Sequence, residues 1–297
     1  MVIGNAQGIR SGSIHNRCKR CGAGNNISTE LTHQLDLVKK LHQQFLQEAV
    51  QGILIKNGEN TEGVGETGAQ LLNRIKAEKA KTGKKEKPLP PIKEDEIPFE
   101  IPDNWVWCRL GEICSKIHYG FNASAKPEKQ DVRLLRITDI QNNQVDWESV
   151  PGCDYSKTDL ENYQLFENDI VIARTGGTIG KTFIVKNIPV KSLFASYLIR
   201  AIPSKLILPD YLKFFMESPI YWKQLYDAAW GAGQPNVNGT SLSNLAVPLP
   251  PLSIQAQIVT KVEELMGLCD ALEAGIQESK GVNEALLQQV LREALAG

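Results

Sequence analysis

The stretch most suggestive of reaction chemistry is Gly176-Gly177-Thr178-Ile179-Gly180-Lys181-Thr182, a glycine-rich run ending in Lys-Thr. Such a run cradles phosphates when it leads into a helix whose N-terminal amides face the anion. Two requirements fail here. The first glycine of that pattern would stand five positions before Gly180, where the chain has Thr175. The Phe183-Ile184-Val185 that follows reads as a strand rather than a helix. Cys18-Lys19-Arg20-Cys21, with His15 nearby, has the spacing of half a zinc site, but no second ligand pair follows at finger-like spacing. Pro248-Leu249-Pro250-Pro251-Leu252 lacks the leading Asn or Asp and the aromatic of a base-binding methyltransferase turn. Four histidines without an acid–acid–lysine cluster leave no hydrolase or nuclease constellation. The expectation is a chain with no catalytic residues, no metal and no cofactor of its own.

The elements that position the remaining polar residues come next. With 297 residues, 42% of them apolar, the chain can bury one core with an appended second element. Its 33 basic and 34 acidic side chains nearly cancel, which excludes a strongly basic, free-standing DNA coater. Six scattered cysteines make no disulfide framework. No apolar run approaches the roughly 18 residues of a membrane span, and the start lacks a signal-peptide pattern. A cytoplasmic protein with reduced thiols is expected.

Residues 1–26 show no periodicity and are expected to be disordered. Over residues 27–52 Leu31, Leu35, Val38, His42, Phe45 and Ala49 space as a coiled-coil seam. Residues 53–104 read as a connector: a short amphipathic helix, Ala69 to Lys81, with Leu71, Leu72 and Ile75 on one face, then a solvated Lys- and Pro-rich strap. Residues 105–253 form a globular domain. Strands are expected at Trp105–Leu110, Leu134–Ile140, Asp169–Arg174, Thr182–Val185 and Leu193–Ala201, with helices at Pro209–Met216 and Tyr221–Ala229. The fold class is α+β, with an irregular sheet. Residues 254–297 carry a second seam, Ile258, Val262, Leu265, Cys269, Leu272 and Ile276. It breaks at Gly281 and resumes at Leu286, Val290 and Ala294. The two long helices are expected to pair antiparallel.

Several stretches, in order and spacing, closely resemble the specificity subunits of type I restriction–modification systems. They are Pro98-Phe99-Glu100-Ile101-Pro102 with Trp105-Val106-Trp107 and Leu110-Gly111-Glu112; Leu135-Arg136-Ile137-Thr138-Asp139-Ile140; and Asp169-Ile170-Val171-Ile172-Ala173-Arg174. To these add Gly177-Thr178-Ile179-Gly180-Lys181, Gln234-Pro235-Asn236-Val237, and Val247-Pro248-Leu249-Pro250-Pro251-Leu252 with Gln255-Ala256-Gln257-Ile258-Val259. The resemblance covers residues 27–297. It implies a target recognition domain that reads half of a split double-stranded DNA sequence, and helices that space the halves and dock methyltransferase subunits. A restriction subunit joins through the complex. S-adenosylmethionine and ATP belong to those partners. The chain departs from the usual pattern in having one recognition domain rather than two, as a natural half-subunit or the distal half of an interrupted gene would.

Base reading needs donors and acceptors on loops, with phosphate anchors around them. Three loops qualify. Tyr119 to Lys126 offers Tyr119, Asn122, Ser124 and Lys126; Arg174 to Thr178 offers Arg174, Thr175 and Thr178 beside glycines; Gln234 to Asn238 offers Gln234, Asn236 and Asn238. Each has a structural alternative. Arg174 could pair with Asp169, the asparagines could cap turns, Tyr119 and Phe121 could pack in the core, and Arg136 with Asp139 could be structural.

Rival readings are an enzyme with an unfamiliar active site, a coiled-coil scaffold binding protein, and an inactive fragment. For assembly, an N-terminal helix of about 26 residues against one of about 40 leaves about 20 Å of seam uncovered. A second copy would cover it. That arrangement is a homodimer on an inverted-repeat site, and the other candidate is pairing with a separate half-subunit.

Overall fold

The computed structural model describes residues 7–55, 65–81, 88–229 and 237–296, with side chains from residue 26 onward apart from 294 and 296. In chain order the first elements are helices α1 (Gln7–Gln51) and α2 (Gly68–Lys81), strand β1 (Val106–Arg109), helix α3 (Leu110–Ile113) and strand β2 (Cys114–Tyr119). Short strands follow: β3 (Ala125–Lys126), β4 (Arg133–Leu135), β5 (Ile140–Gln141), β6 (Gln144–Val145) and β7 (Gly152–Cys153), then helix α4 (Lys157–Tyr163). The rest comprises β8 (Ile170–Ala173), β9 (Thr182–Ile184), β10 (Ser192–Phe194), β11 (Leu198–Pro203), α5 (Pro209–Phe215), α6 (Pro219–Ala229), α7 (Gly239–Ser243), β12 (Ala246–Leu249) and α8 (Leu252–Ala296). Two compact units result: residues 45–262, and a helical unit of residues 1–44 with 263–297.

The larger unit is α+β. An antiparallel sheet of order β2-β11-β8-β9 lies beside a smaller mixed sheet, β10-β4-β7-β3. The first sheet buries Ile170, Ile172, Ile199 and Ala201 against Leu212, Phe215, Tyr221 and Leu225 of α5 and α6. Its other side, through Val171 and Leu198, packs on Leu135, Trp147 and Phe194. Strand β1 pairs antiparallel with β12, from Val106↔Leu249 to Arg109↔Ala246, so the two ends of the globular segment lie side by side. The β5–β6 hairpin turns through Asn142 and Asn143, both at positive φ, which suits a two-residue turn between twisted strands.

Two expected strands are broken. Leu134–Ile140 is a strand only to Leu135; Asp139 then accepts from the backbone N–H of Arg136 at 2.8 Å and takes its guanidinium in a two-pronged pair. That clamp turns the chain into a single 3-10 turn. Leu193–Ala201 splits between the two sheets, because Leu198 N–H bonds back to the Ala195 carbonyl and closes a turn at Ser196-Tyr197.

The proline strap is not free in solvent from Pro88 onward. The Arg109 side chain, only 5% exposed, donates Nε to Pro90 O (3.0 Å), Nη2 to Pro91 O (3.0 Å) and Glu96 Oε2 (2.8 Å), and Nη1 to Asn244 O (2.6 Å). Lys84, Lys85 and Lys87 lie outside the described residues. Helix α2 starts with a reciprocal cap between Thr67 and Gln70 and buries the expected Leu71, Leu72 and Ile75.

In the helical unit the chain leaves at Gln44 and returns at Glu263. His42 Nε2 lies 3.8 Å from Asp270 Oδ1. The two helices are therefore joined at one end and run antiparallel. On α1 the seam is as expected, with Leu35 and Val38 buried and Leu31 and His42 half-buried. Three expectations are corrected. Helix α1 begins at Gln7, so residues 7–26 are helical rather than disordered. Helix α8 runs unbroken past Gly281, and its seam passes Cys269, Ile276, Asn283, Leu287 and Val290, leaving Leu272 and Leu286 exposed. Both helices have 45 residues, so the uncovered overhang does not exist.

Candidate nucleic-acid interface

Strand order brings two of the candidate loops together. In the β2-β11-β8-β9 sheet, the end of β2 lies beside the start of β11 and the end of β8, through Tyr119↔Ile199 and Leu198↔Ala173. Tyr119, Tyr197 and Arg174 therefore emerge at one end of the sheet. Gly120 makes the first exit possible: a Cβ there would stand 2.2 Å from Ala195 O, so any side chain would force β2 away.

Tyr119 joins the second loop to the start of α7. Its ring, 40% exposed, carries the Arg174 guanidinium 4.8 Å from its centroid. Its hydroxyl accepts from the Gly239 backbone N–H at 3.1 Å. Arg174 closes the circuit through its main chain, donating to Tyr197 O at 3.0 Å and accepting from Val237 N–H at 3.2 Å. Asp169, the alternative partner for Arg174, is buried against Arg200 (3.1 Å). Burial pushes the Asp169 carboxyl up and the Arg200 guanidinium down, with each other's charge opposing both shifts. That pair is a support under the strand.

Beyond Arg174, Thr175 and Thr178 flank an open tip. A Cβ on Gly176 or Gly177 would meet nothing within 4 Å, so an external group can approach these amides closely. Gly180, at φ +81°, turns the chain back over Trp222 and Leu225 into β9. The run leads into strand β9 (Thr182–Ile184) rather than into a helix.

The other candidates divide. Asn122 and Ser124 are exposed at the edge of the first loop. Phe121 is half-buried against Tyr163, with ring centroids 5.4 Å apart, and belongs to the core. Lys126 is ion-paired with Asp154, which also holds Lys129. Hydrogen bonds from Lys126 and then Lys129 keep the Asp154 carboxyl below the usual carboxylate range. Asn238 caps α7, its Oδ1 accepting from Ser241 N–H at 2.8 Å. Gln234 and Asn236 lie outside the described residues. Arg136 and Asp139 serve the clamp described above. Tyr197, 63% exposed, was not a candidate; the polar Ser196 interrupting an apolar run was its signal. Among the described residues no cluster of metal-ligating side chains occurs, and no helix is long and apolar enough to cross a membrane.

The site is thus a rim of aromatic, cationic, hydroxyl and amide groups at one end of the β2-β11-β8-β9 sheet. Residues 102–279 match the type I restriction modification DNA specificity domain family, and the chain belongs to that family. It is 34% identical over 255 residues to the type I restriction enzyme EcoAI specificity subunit of Escherichia coli, covering 82% of this chain and 42% of that protein. With the EcoEI specificity subunit of the same species it shares 29% over 257 residues, covering 82% and 43%. The chain spans less than half the length of these relatives. Among solved structures it resembles the HsdS subunit of Thermoanaerobacter tengcongensis, at TM-score 0.51 and 16% identity, covering 92% of this chain and 58% of that one. A chain from a study of complex assembly and conformational transition in the type I R-M system gives TM-score 0.55 and 15% identity, with the same coverage. Both show the same fold.

Proposed function

We propose that this chain is the DNA-reading component of a type I restriction–modification complex. Its recognition body reads one half of a bipartite duplex target, and its helices join it to methyltransferase subunits and, through them, to a restriction subunit. The observation that carries this reading is the meeting of separate segments at Tyr119, with Arg174 stacked on its ring, Gly239 bonded to its hydroxyl and the glycine tip alongside. Arg174 and the glycine tip anchor phosphates, while Asn122, Ser124, Thr175 and Thr178, with Gln234 and Asn236, reach base edges. The chain contributes no catalytic group, works in the cytoplasm, and pairs with a second copy to read an inverted repeat. Gel-shift on random and selected duplexes, with and without methyltransferase subunits, tests the reading. Salt-sensitive binding with sequence preference supports it, and absence of DNA binding in both settings contradicts it.

A further inference from the structure

Directly behind the rim the sheet buries a cation. Arg200 on β11 stands opposite His118 on β2 and Val171 on β8, one residue back from the pairs Ile199↔Tyr119 and Ile199↔Ile172. Its side chain, 5% exposed, donates Nε to His118 Nε2 (3.1 Å) and Nη1 both to Asp169 Oδ2 (3.1 Å) and to the Gln164 carbonyl. The guanidinium also lies 5.3 Å from the Phe194 ring centroid of β10. One side chain thus links β2, the head of β8 and the segment after α4. Replacing such a buried ion pair by apolar side chains of similar volume is often neutral for stability, and the best-attested use of the pair is to fix register. Register matters most for β2, the end strand of its sheet, because β2 carries Tyr119.

The bond from Arg200 defines the state of the imidazole. A guanidinium only donates, so His118 Nε2 accepts through its lone pair, and the half-buried ring is neutral with its proton on Nδ1. A proton arriving at Nε2 removes the acceptor and sets imidazolium against guanidinium. The Phe194 and Tyr163 rings, with centroids 5.4 and 6.1 Å away, pack beside it. The titratable and charged groups around it are Arg200 from β11 with Asp169 behind it, and Tyr163 from α4; Lys116 lies two places back on the same face of β2.

Resting on the rim as the DNA-reading edge, we propose that neutral His118 is a positioning residue: through Arg200 it holds β2 beside β8, and so Tyr119 beside Arg174, and protonation of its ring releases that hold.

The test compares the full wild-type chain with His118→Gln, whose amide oxygen can accept from Arg200 but does not titrate. Anisotropy is read on a duplex that the wild-type chain selects from a random pool. Wild-type affinity should fall about ten-fold from about pH 7.5 to about pH 5.5, across the ordinary imidazole range, the effect of losing one hydrogen bond to a charged group. Added positive charge alone would instead tighten binding to phosphates. His118→Gln should match wild type within about two-fold at the higher pH and not weaken in acid, whereas His118→Leu, lacking the acceptor, should bind about ten-fold more weakly at both. Without DNA, exchange of the Gly120 and Gly239 amides, corrected for its intrinsic pH dependence, reads the hold itself, because they bond to Leu198 O (3.1 Å) and to the Tyr119 hydroxyl. Their protection should fall in acid in wild type and not in His118→Gln. Protection equally acid-sensitive in both proteins would overturn the proposal, assigning the effect to Asp169 or another group, and so would wild-type binding that is level or tighter in acid. Absence of DNA binding at either pH, with protection lost in acid only in wild type, would refute the DNA reading and leave His118 as the residue that holds the rim.

Discussion

The Arg174 guanidinium lies 4.8 Å over the Tyr119 ring, and the Tyr119 hydroxyl accepts from Gly239 N–H. One side chain thus fixes two loops that are distant in sequence. Tyr119→Phe keeps the stack but removes the acceptor, and should weaken DNA binding by about five-fold, the effect of one hydrogen bond of about 1 kcal/mol. Tyr119→Ala removes both and should cost more. Anisotropy with a selected duplex checks this, and equal affinity of Tyr119→Ala and wild type would clear Tyr119 of the role.

Arg174 is seated on the Tyr119 ring, and Lys126 is ion-paired with Asp154. Arg174→Ala should lower the log–log salt slope of DNA binding by about 0.9, one phosphate contact. Lys126→Ala should lower it by clearly less, because Asp154 already neutralises part of the Lys126–Lys129 pair. Asp154→Asn should raise affinity. A full step for Lys126→Ala, with no gain for Asp154→Asn, would reverse this assignment.

The two neighbouring asparagines should behave differently. Asn238→Ala removes a helix cap and should cost about 1 kcal/mol of stability, seen in urea unfolding. Asn236→Ala should relax base preference at one position. An equal loss of affinity for all sequences would contradict the second expectation.

Arg109 gathers four acceptors, so Arg109→Ala strands Pro90, Pro91 and Asn244 carbonyls along with Glu96. A loss of about 2–4 kcal/mol is expected in chemical unfolding. The Arg109 hydrogen bond, aided by the Lys93 backbone N–H, holds the Glu96 carboxyl below its ordinary value. A lowered carboxylate stabilises the fold above its ordinary titration range and stops doing so as pH falls through the lowered value. Hydrogen-exchange protection across residues 88–97, corrected for the intrinsic pH dependence of amide exchange, should therefore fall as acid protonates Glu96. Glu96→Gln should remove that dependence. Exchange equally pH-sensitive in both proteins would show that another group governs the strap.

The periodic parts of this fold were legible in the sequence. Leu71, Leu72 and Ile75, and the α1 seam through Leu35 and Val38, can be read from spacing because burial follows the helical repeat. Leu272 and Leu286 were misplaced for the same reason. Helix α8 carries more apolar residues than one seam uses, and spacing alone does not say which stripe faces the partner helix. Tyr197 and the strand break beside it depend on a turn at Ser196 that transfers the chain between sheets, a tertiary event with only a weak local signal. The Lys126–Asp154 pair joins positions 28 apart through β3 and β7, beyond the reach of local patterns. The three loops could be nominated by composition, but the approach of Arg174 to Tyr119 depends on strand order.

The most direct measurement is selection of duplexes bound by the chain, with methyltransferase subunits present, from a random pool, followed by sequencing. The account predicts a defined, bipartite motif whose base preferences weaken in Tyr119→Ala and Arg174→Ala. A pool that emerges without any motif, or a motif unchanged by both substitutions, would contradict it.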